Sequence, residues 1–154
     1  MQKSISEFSS LIGSWSGHGE GTFTTIKPFG FREELKFRRR GAEDLIHYEQ
    51  VTFLNDGTPS HWESGFLKIN DGLLEISSAQ DSGRVEVLRQ QIHEPYHNGF
   101  RLELNCKVIQ NDPRLIQTRR VFELRDEILR YWIYMSTQNI SSITPHIQAN
   151  LRRT

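Results

Sequence analysis

The sequence predicts an all-β chain, about ten antiparallel strands closing into an up-and-down β-barrel, with one short helix before the first strand. Three observations predict it. Apolar and polar residues alternate with a period of two through most of the chain, as in strands with two different faces. Turn signals interrupt the alternation at short intervals: 55-NDGTP-59, 70-NDG-72, 81-DSG-83, 94-EPYHNG-99 and 111-NDP-113. Asn-Asp-Gly and Asp-Ser-Gly supply the positive φ that tight hairpins need. Between these turns no helical stretch is long enough for a parallel crossover, so the sheet is antiparallel and sequential.

Near the N-terminus, Ile5, Phe8, Leu11 and Ile12 fall at helical spacing and Ser4 can cap them. The first strand, 15–24, lies in 11-LIGSWSGHGEGTFTTI-26, where Gly13, Gly17, Gly19 and Gly21 surround Trp15. Glycine in a strand permits sharp bending or the close approach of another backbone, so this strand is expected to curl and Trp15 to plug one end. Curvature alone accounts for that and requires no ligand.

In the second strand, 29–39, Phe29, Phe31, Leu35 and Phe37 alternate with Arg32, Glu34 and Lys36. It ends in the one basic cluster, 36-KFRRR-40, which reads as a solvated strand end and turn or as a local anion site. In strand 44–54, Leu45, Val51 and Phe53 share a parity with His47 and Glu49, a mixed face. Strands at 61–69, 73–79 and 84–93 come next. In strand 99–109, Leu102, Leu104, Cys106 and Val108 alternate with Arg101, Glu103, Asn105 and Lys107. Strands at 115–125, 128–136 and 147–153 complete the set. Ten strands make a barrel wider than side chains alone fill, so a cavity is expected. The hydrophobic share of 36% is lean for a solid globule and suits a hollow interior or a very polar outside.

The length of 154 residues fits one domain, 1–154. A formal net charge of zero argues against nucleic acid, whose phosphates demand a concentrated basic surface. Cys106 is alone, which excludes a disulfide framework and a cysteine zinc site. The opening 1-MQKSISEF-8 lacks the apolar core of a signal peptide, and no apolar run approaches a membrane span. A soluble cytoplasmic protein, with neither nucleic-acid nor membrane partner, is the plain expectation.

Familiar catalytic signatures are missing. There is no nucleophile elbow, and the glycine stretch lacks the Lys-Ser/Thr and the following helix of a phosphate loop. His47, His93 and His97 show no usable partner pattern, and His18 occupies a position expected at the surface. Glu33 and Glu34 are adjacent and point to opposite faces, so they cannot act as a pair. If Phe31 and Leu35 face inward, Glu33 does too and needs a partner; Arg119 is a candidate. Phe23, Phe29, Tyr131, Trp132 and Tyr134 read as cavity lining or as plain wall.

The stretch 13-GSWSGHG-19 has the form G-x-W-x-G-x-G and continues as 19-GEGTFTTI-26. It resembles the nitrobindins, lipocalin-like barrels related to fatty-acid-binding proteins that hold b-type haem. The segments 31-FREELKF-37, 61-HWESGFLKI-69, 78-SAQDSGRVEV-87 and 135-MSTQNISSITPHIQANLRR-153 extend the resemblance from about Leu11 to Arg153.

The resemblance implies haem b bound as ferric iron, with His146 as axial ligand, Thr25 as a haem contact and Met135 in the pocket wall. It makes Gly13, Trp15, Gly17 and Gly19 framework and leaves catalytic residues unassigned. His61 matches a family histidine and is structural or distal. Two departures stand out: Thr24 replaces the family's proline, and Leu54 stands where some members place a polar side chain, leaving an apolar distal side. His146 shares strand parity with the polar Gln148 and Asn150. Either the strand begins after it or the wall there is polar inside.

The implied function is nitric oxide binding with isomerisation of peroxynitrite to nitrate. The alternative is a non-enzymatic carrier of a lipid or other apolar molecule, with Arg119 or Arg130 holding its carboxylate. A third reading is a closed domain with a filled interior. The expected partner is a small molecule, with a homodimer compatible.

Overall fold

The computed structural model describes residues 3–154. Its ten strands are β1 (Gly13–Phe23), β2 (Ile26–Arg38), β3 (Leu45–Leu54), β4 (Pro59–Asn70), β5 (Leu73–Gln80), β6 (Val85–Tyr96), β7 (Gly99–Gln110), β8 (Leu115–Arg125), β9 (Ile128–Thr137) and β10 (Thr144–Arg153). Each pairs antiparallel with its sequence neighbours, and β1 pairs with β10 to close the barrel. All ten expected strands are present. No helix among the described residues is long and apolar enough to cross a membrane.

Up-and-down order gives the barrel two unlike ends. A 3₁₀ helix, Ile5–Leu11, closes the end where β1 starts and β10 stops. Ser4 caps it by accepting from the Ser6 N–H at 3.2 Å. Ile5, Phe8 and Leu11 are buried and join Phe37, Ile46, Leu67, Leu88 and Leu151 in one apolar cluster. Each such side chain contributes about 1.5–3 kcal/mol on burial. Trp15 plugs this end as expected: it is 1% exposed, its Nε1–H donates to the Leu11 carbonyl at 2.8 Å, and the Arg153 guanidinium covers its ring.

The glycines of β1 make room for neighbours. A Cβ on Gly17 would stand 2.0 Å from the Asn150 carbonyl oxygen of β10. One on Gly19 would stand 2.3 Å from the ring of Phe31. Both distances are impossible, so β1 is bare where β10 and the β2 phenylalanines cross it.

On two strands the structure decides what alternation left open or obscured. On β3 the inward side is Ile46, Tyr48, Gln50 and Thr52, all buried, so the mixed face of Leu45, His47, Glu49, Val51 and Phe53 is the outer wall. On β7 the inward parity holds through Leu104 and then slips, because Val87 pairs with Val108 while Leu88 pairs with Cys106. That bulge at Lys107 leaves Val108 36% exposed; a one-residue slip moves every later side chain to the other face. At 36-KFRRR-40 the turn reading holds: Arg39 donates to the Glu43 carbonyl and Arg40 pairs with the Glu43 carboxylate, all exposed.

Candidate functional site

The open half of the barrel is lined by charge. Glu63, Glu86 and Arg120 are 2%, 1% and 5% exposed. The Arg120 guanidinium donates to Glu63 at 3.0 Å and to Glu86 at 3.2 Å. Tyr48 Oη–H and Ser78 Oγ–H also donate to Glu63, at 2.5 and 2.9 Å. Gln80 and Thr118 donate to Glu86. Burial pushes both carboxyls up, but Arg120 and these donors outweigh it and hold both below the usual range. Burial likewise opposes the Arg120 charge, and the two carboxylates more than restore it. This is a buried ion triad of two carboxylates and one guanidinium, and Arg84, 3.3 Å from Glu86, supplies the second cation that balances it.

Glu33 is 0% exposed and has no cation among the described residues. Tyr131 Oη–H donates to its Oε1, Gln50 Nε2–H donates to the same oxygen at 2.9 Å, and Oε2 has no partner. Burial, the largest influence, raises its carboxyl from 4.5 to about 7 against the lowering effect of these two bonds. The expected partner Arg119 is elsewhere: it stacks on the Tyr134 ring at 4.6 Å, on the opposite face of β8 from Arg120.

Above this layer lie two cavities. One, of about 350 Å³, is bordered by Phe23, Thr25, Arg84, Arg114, Met135 and His146, among others. The other, of about 190 Å³, is bordered by Phe31, His61, Glu63, Arg120, Tyr131 and His146, among others. His146 and Arg84 belong to both.

The backbone explains how a residue with polar parity reaches the lumen. On β10 the pairing is regular through Pro145–Tyr134 and resumes at Ile147–Ile133, with a register shift between. His146 is the extra residue of a β-bulge. Neither sequence alternative was right, since β10 begins at Thr144 and the bulge re-aims the side chain. The ring is fixed by a 2.9 Å contact between Nδ1 and the Thr22 carbonyl and by the edge of Phe23 at 5.9 Å between centroids. A carbonyl cannot donate, so Nδ1 carries the proton and Nε2 keeps its lone pair. Burial pushes the imidazole below its usual pKa, which favours the neutral form.

The structure thus brings together three predicted residues, His146, Thr25 and Met135, around one cavity. Gly13, Trp15, Gly17 and Gly19 lie along β1 as framework. His61 borders the smaller cavity, and its Nε2–H donates to Glu63 Oε1 at 2.8 Å, since an ionised carboxylate only accepts. The smaller cavity has a mixed wall, with Gln50, Thr52, His61 and Glu63 beside Phe29, Phe31 and Ile133. Leu54 shares the parity of Thr52 but is the last residue of β3, and it borders neither cavity. Trp132 and Tyr134 border only a small outer crevice of about 80 Å³, whereas Phe23, Phe29 and Tyr131 do line the interior cavities. The letters H-E-x-x-H do occur at 93-HEPYH-97, but β6 is extended there and Pro95 interrupts any helix. Among the described residues no three metal-ligating side chains gather.

Sequence reading missed Glu63, Glu86, Arg120 and Gln50. A signal was present: Glu63 shares parity with Leu67, Glu86 with Leu88, and Arg120 with Leu124, apolar positions of their own strands.

The family model described as "THAP4-like, heme-binding beta-barrel domain" matches residues 4–153. The chain belongs to that haem-binding barrel family. Among its relatives is "Peroxynitrite isomerase Rv2717c" of Arabidopsis thaliana, 34% identical over 96% of this chain and 87% of that one. "Peroxynitrite isomerase 1" of Rhodococcus jostii is 31% identical over 93% and 80%. The crystal structure of Rv2717c from M. tuberculosis superposes with a TM-score of 0.88 at 26% identity, covering 97% and 96%. An S-type phycobiliprotein lyase from Guillardia theta, at 10% identity and a TM-score of 0.60, shares the fold alone.

The residues of this THAP4-like barrel fit haem. One neutral imidazole is anchored through Nδ1 with Nε2 free, as an axial donor requires. It borders a cavity whose wall includes the apolar side chains Phe23, Ile26, Leu115 and Met135.

Proposed function

We propose that this protein holds haem b through His146, converts peroxynitrite to nitrate, binds nitric oxide at the same place, and does so as one domain whose partner is a small molecule. The observation that carries the reading is the bulged, Thr22-anchored His146 at the junction of two cavities. When bound, ferric haem supplies a Lewis acid to a substrate oxygen. The chain's own groups do the remainder. The Thr22 carbonyl holds the His146 ring in one orientation and raises the donor strength of Nε2. Thr25 and Met135 bound the larger cavity. Arg84 bridges Asp112 and the buried Glu86, and Arg114 pairs with Asp112, so two guanidinium groups stand at the larger cavity beside two carboxylates and offer hydrogen-bond donors to an entering anion. His61, its Nε2–H committed to Glu63, presents a fixed imidazole to the smaller cavity.

The carrier reading loses its arginines. Arg119 stacks outside on Tyr134, Arg130 is exposed near Glu123, and Arg120 is already neutralised by two carboxylates. The test is stopped-flow decay of peroxynitrite with nitrate and nitrite quantified. Haemin-loaded protein is expected to speed decay and raise the nitrate share, and His146→Ala to abolish both effects. A nitrate share equal to that of buffer, or an undiminished one in the variant, refutes the reading. A Soret band that does not move when nitric oxide is added refutes the binding half.

A further inference from the structure

Two buried tyrosines each donate to a buried glutamate, and the pairs differ in ways that matter chemically. Tyr48 donates to Glu63, which is also held by Arg120, Ser78 and His61. Tyr131 donates to Glu33, which has no cation and one oxygen without a partner. Tyr48 borders only a void of about 20 Å³. Tyr131 borders that void and also the 190 Å³ cavity that His146 bounds. Gln50 Nε2–H donates to the Tyr131 oxygen at 2.9 Å as well as to Glu33, which fixes the geometry of the pair.

A phenol gives up an electron readily only if its proton leaves at the same time, because a buried phenol cation is costly. A carboxylate already accepting the O–H can take that proton. Glu33, pushed up to about 7 chiefly by burial, is a far better acceptor than Glu63, which Arg120 holds well below the usual range. The bland explanation, that Tyr131 merely satisfies a buried carboxyl, predicts a preference set by cavity access alone and unchanged when Glu33 is replaced.

We propose that Tyr131, with Glu33 as its proton acceptor, is an internal one-electron donor to nitrogen dioxide in the cavity and becomes a nitration site. The step balances. Nitrogen dioxide takes one electron from Tyr131 and becomes nitrite, and the phenolic proton passes to the Glu33 carboxylate. A second nitrogen dioxide then bonds to the ring carbon ortho to the oxygen, and loss of that carbon's proton gives 3-nitrotyrosine. The inference rests on the proposed peroxynitrite chemistry only for the source of nitrogen dioxide, which homolysis of the O–O bond of peroxynitrous acid releases.

The test uses the full chain, without and with haemin, and peptide mass spectrometry. One arm generates nitrogen dioxide radiolytically from nitrite and contains no peroxynitrite; the other adds peroxynitrite. In the first arm nitration at Tyr131 is expected to exceed that at Tyr48 by at least about tenfold, since each unit of acceptor basicity is a factor of ten in proton affinity. Glu33→Gln is expected to lower the Tyr131 yield several-fold and leave Tyr48 unchanged. This variant keeps the acceptor oxygen for Tyr131 and Gln50 and replaces the oxygen that has no partner. Tyr131→Phe is expected to abolish the signal without transferring it to Tyr48. A smaller Tyr131 preference, or a Glu33→Gln protein nitrated like the parent, overturns the proposal. Success in the radiolytic arm beside a failed nitrate assay would leave this inference standing and remove the proposed function; the reverse pattern would do the opposite.

Discussion

At the closed end of the barrel, Ile5, Phe8, Leu11 and Trp15 fill the lumen with hydrocarbon, and the one indole N–H is satisfied by the Leu11 carbonyl. Halfway along the same strands, Glu33, Glu63, Glu86 and Arg120 are just as deeply buried, and above them the lumen opens into two cavities that meet at His146. The contrast separates stability from function. Hydrocarbon packing accounts for the strength of the closed half. A buried ion triad is weak evidence for stability, because desolvation offsets most of its attraction. The matched charges allow a polar floor beneath a cavity that apolar side chains would otherwise fill.

That division can be attacked from the middle first. Arg120→Ala leaves Glu63 buried without its arginine and Glu86 with Arg84 alone, and is expected to cost about 3–5 kcal/mol in urea unfolding. A cost below about 1 kcal/mol would mean that water already reaches the triad. At the closed end, Phe8→Ala is expected to cost about 3–5 kcal/mol while leaving the affinity for haemin within a factor of about two. Loss of both together would dissolve the distinction between the halves.

The next effect is one of pH. Glu33 has a folded pKa of about 7 against its ordinary 4.5. A raised carboxyl favours the protonated form in the folded state. Its contribution is therefore complete below pH 4.5 and is lost as pH rises through about 7, a fall of about 3 kcal/mol. Melting curves across that window are expected to show this slope in the parent and not in Glu33→Gln. The smallest effect belongs to Trp15→Phe, which removes one buried hydrogen bond for about 1 kcal/mol, read as a modest drop in the urea midpoint.

The fold was legible because alternation and turn chemistry are local: the hairpins at 70-NDG-72 and 81-DSG-83 lie where their residues dictate. The closed end was legible too, since Ser4, Phe8 and Trp15 act through capping and apolar spacing. His146 was found by resemblance while its parity pointed outward, because a bulge is a pairing event between β9 and β10 that one strand's pattern does not encode. The same holds for Val108 and the Lys107 bulge. The polar floor was overlooked because Glu63, Gln50 and Arg120 break the apolar rule on their own strands. They are tolerable only with partners from other strands, Glu63 of β4 with Arg120 of β8, and Gln50 of β3 with Glu33 of β2 and Tyr131 of β9.

The most direct test of the account is a haemin titration of the parent and of His146→Ala, followed by the ferric absorption spectrum. His146 contributes to no core cluster, so the variant is expected to stay folded, with stability within about 0.5 kcal/mol of the parent. The account predicts a saturable ferric spectrum with one imidazole ligand in the parent and weakened, spectrally altered binding in the variant. An identical spectrum and affinity in the two proteins would contradict it.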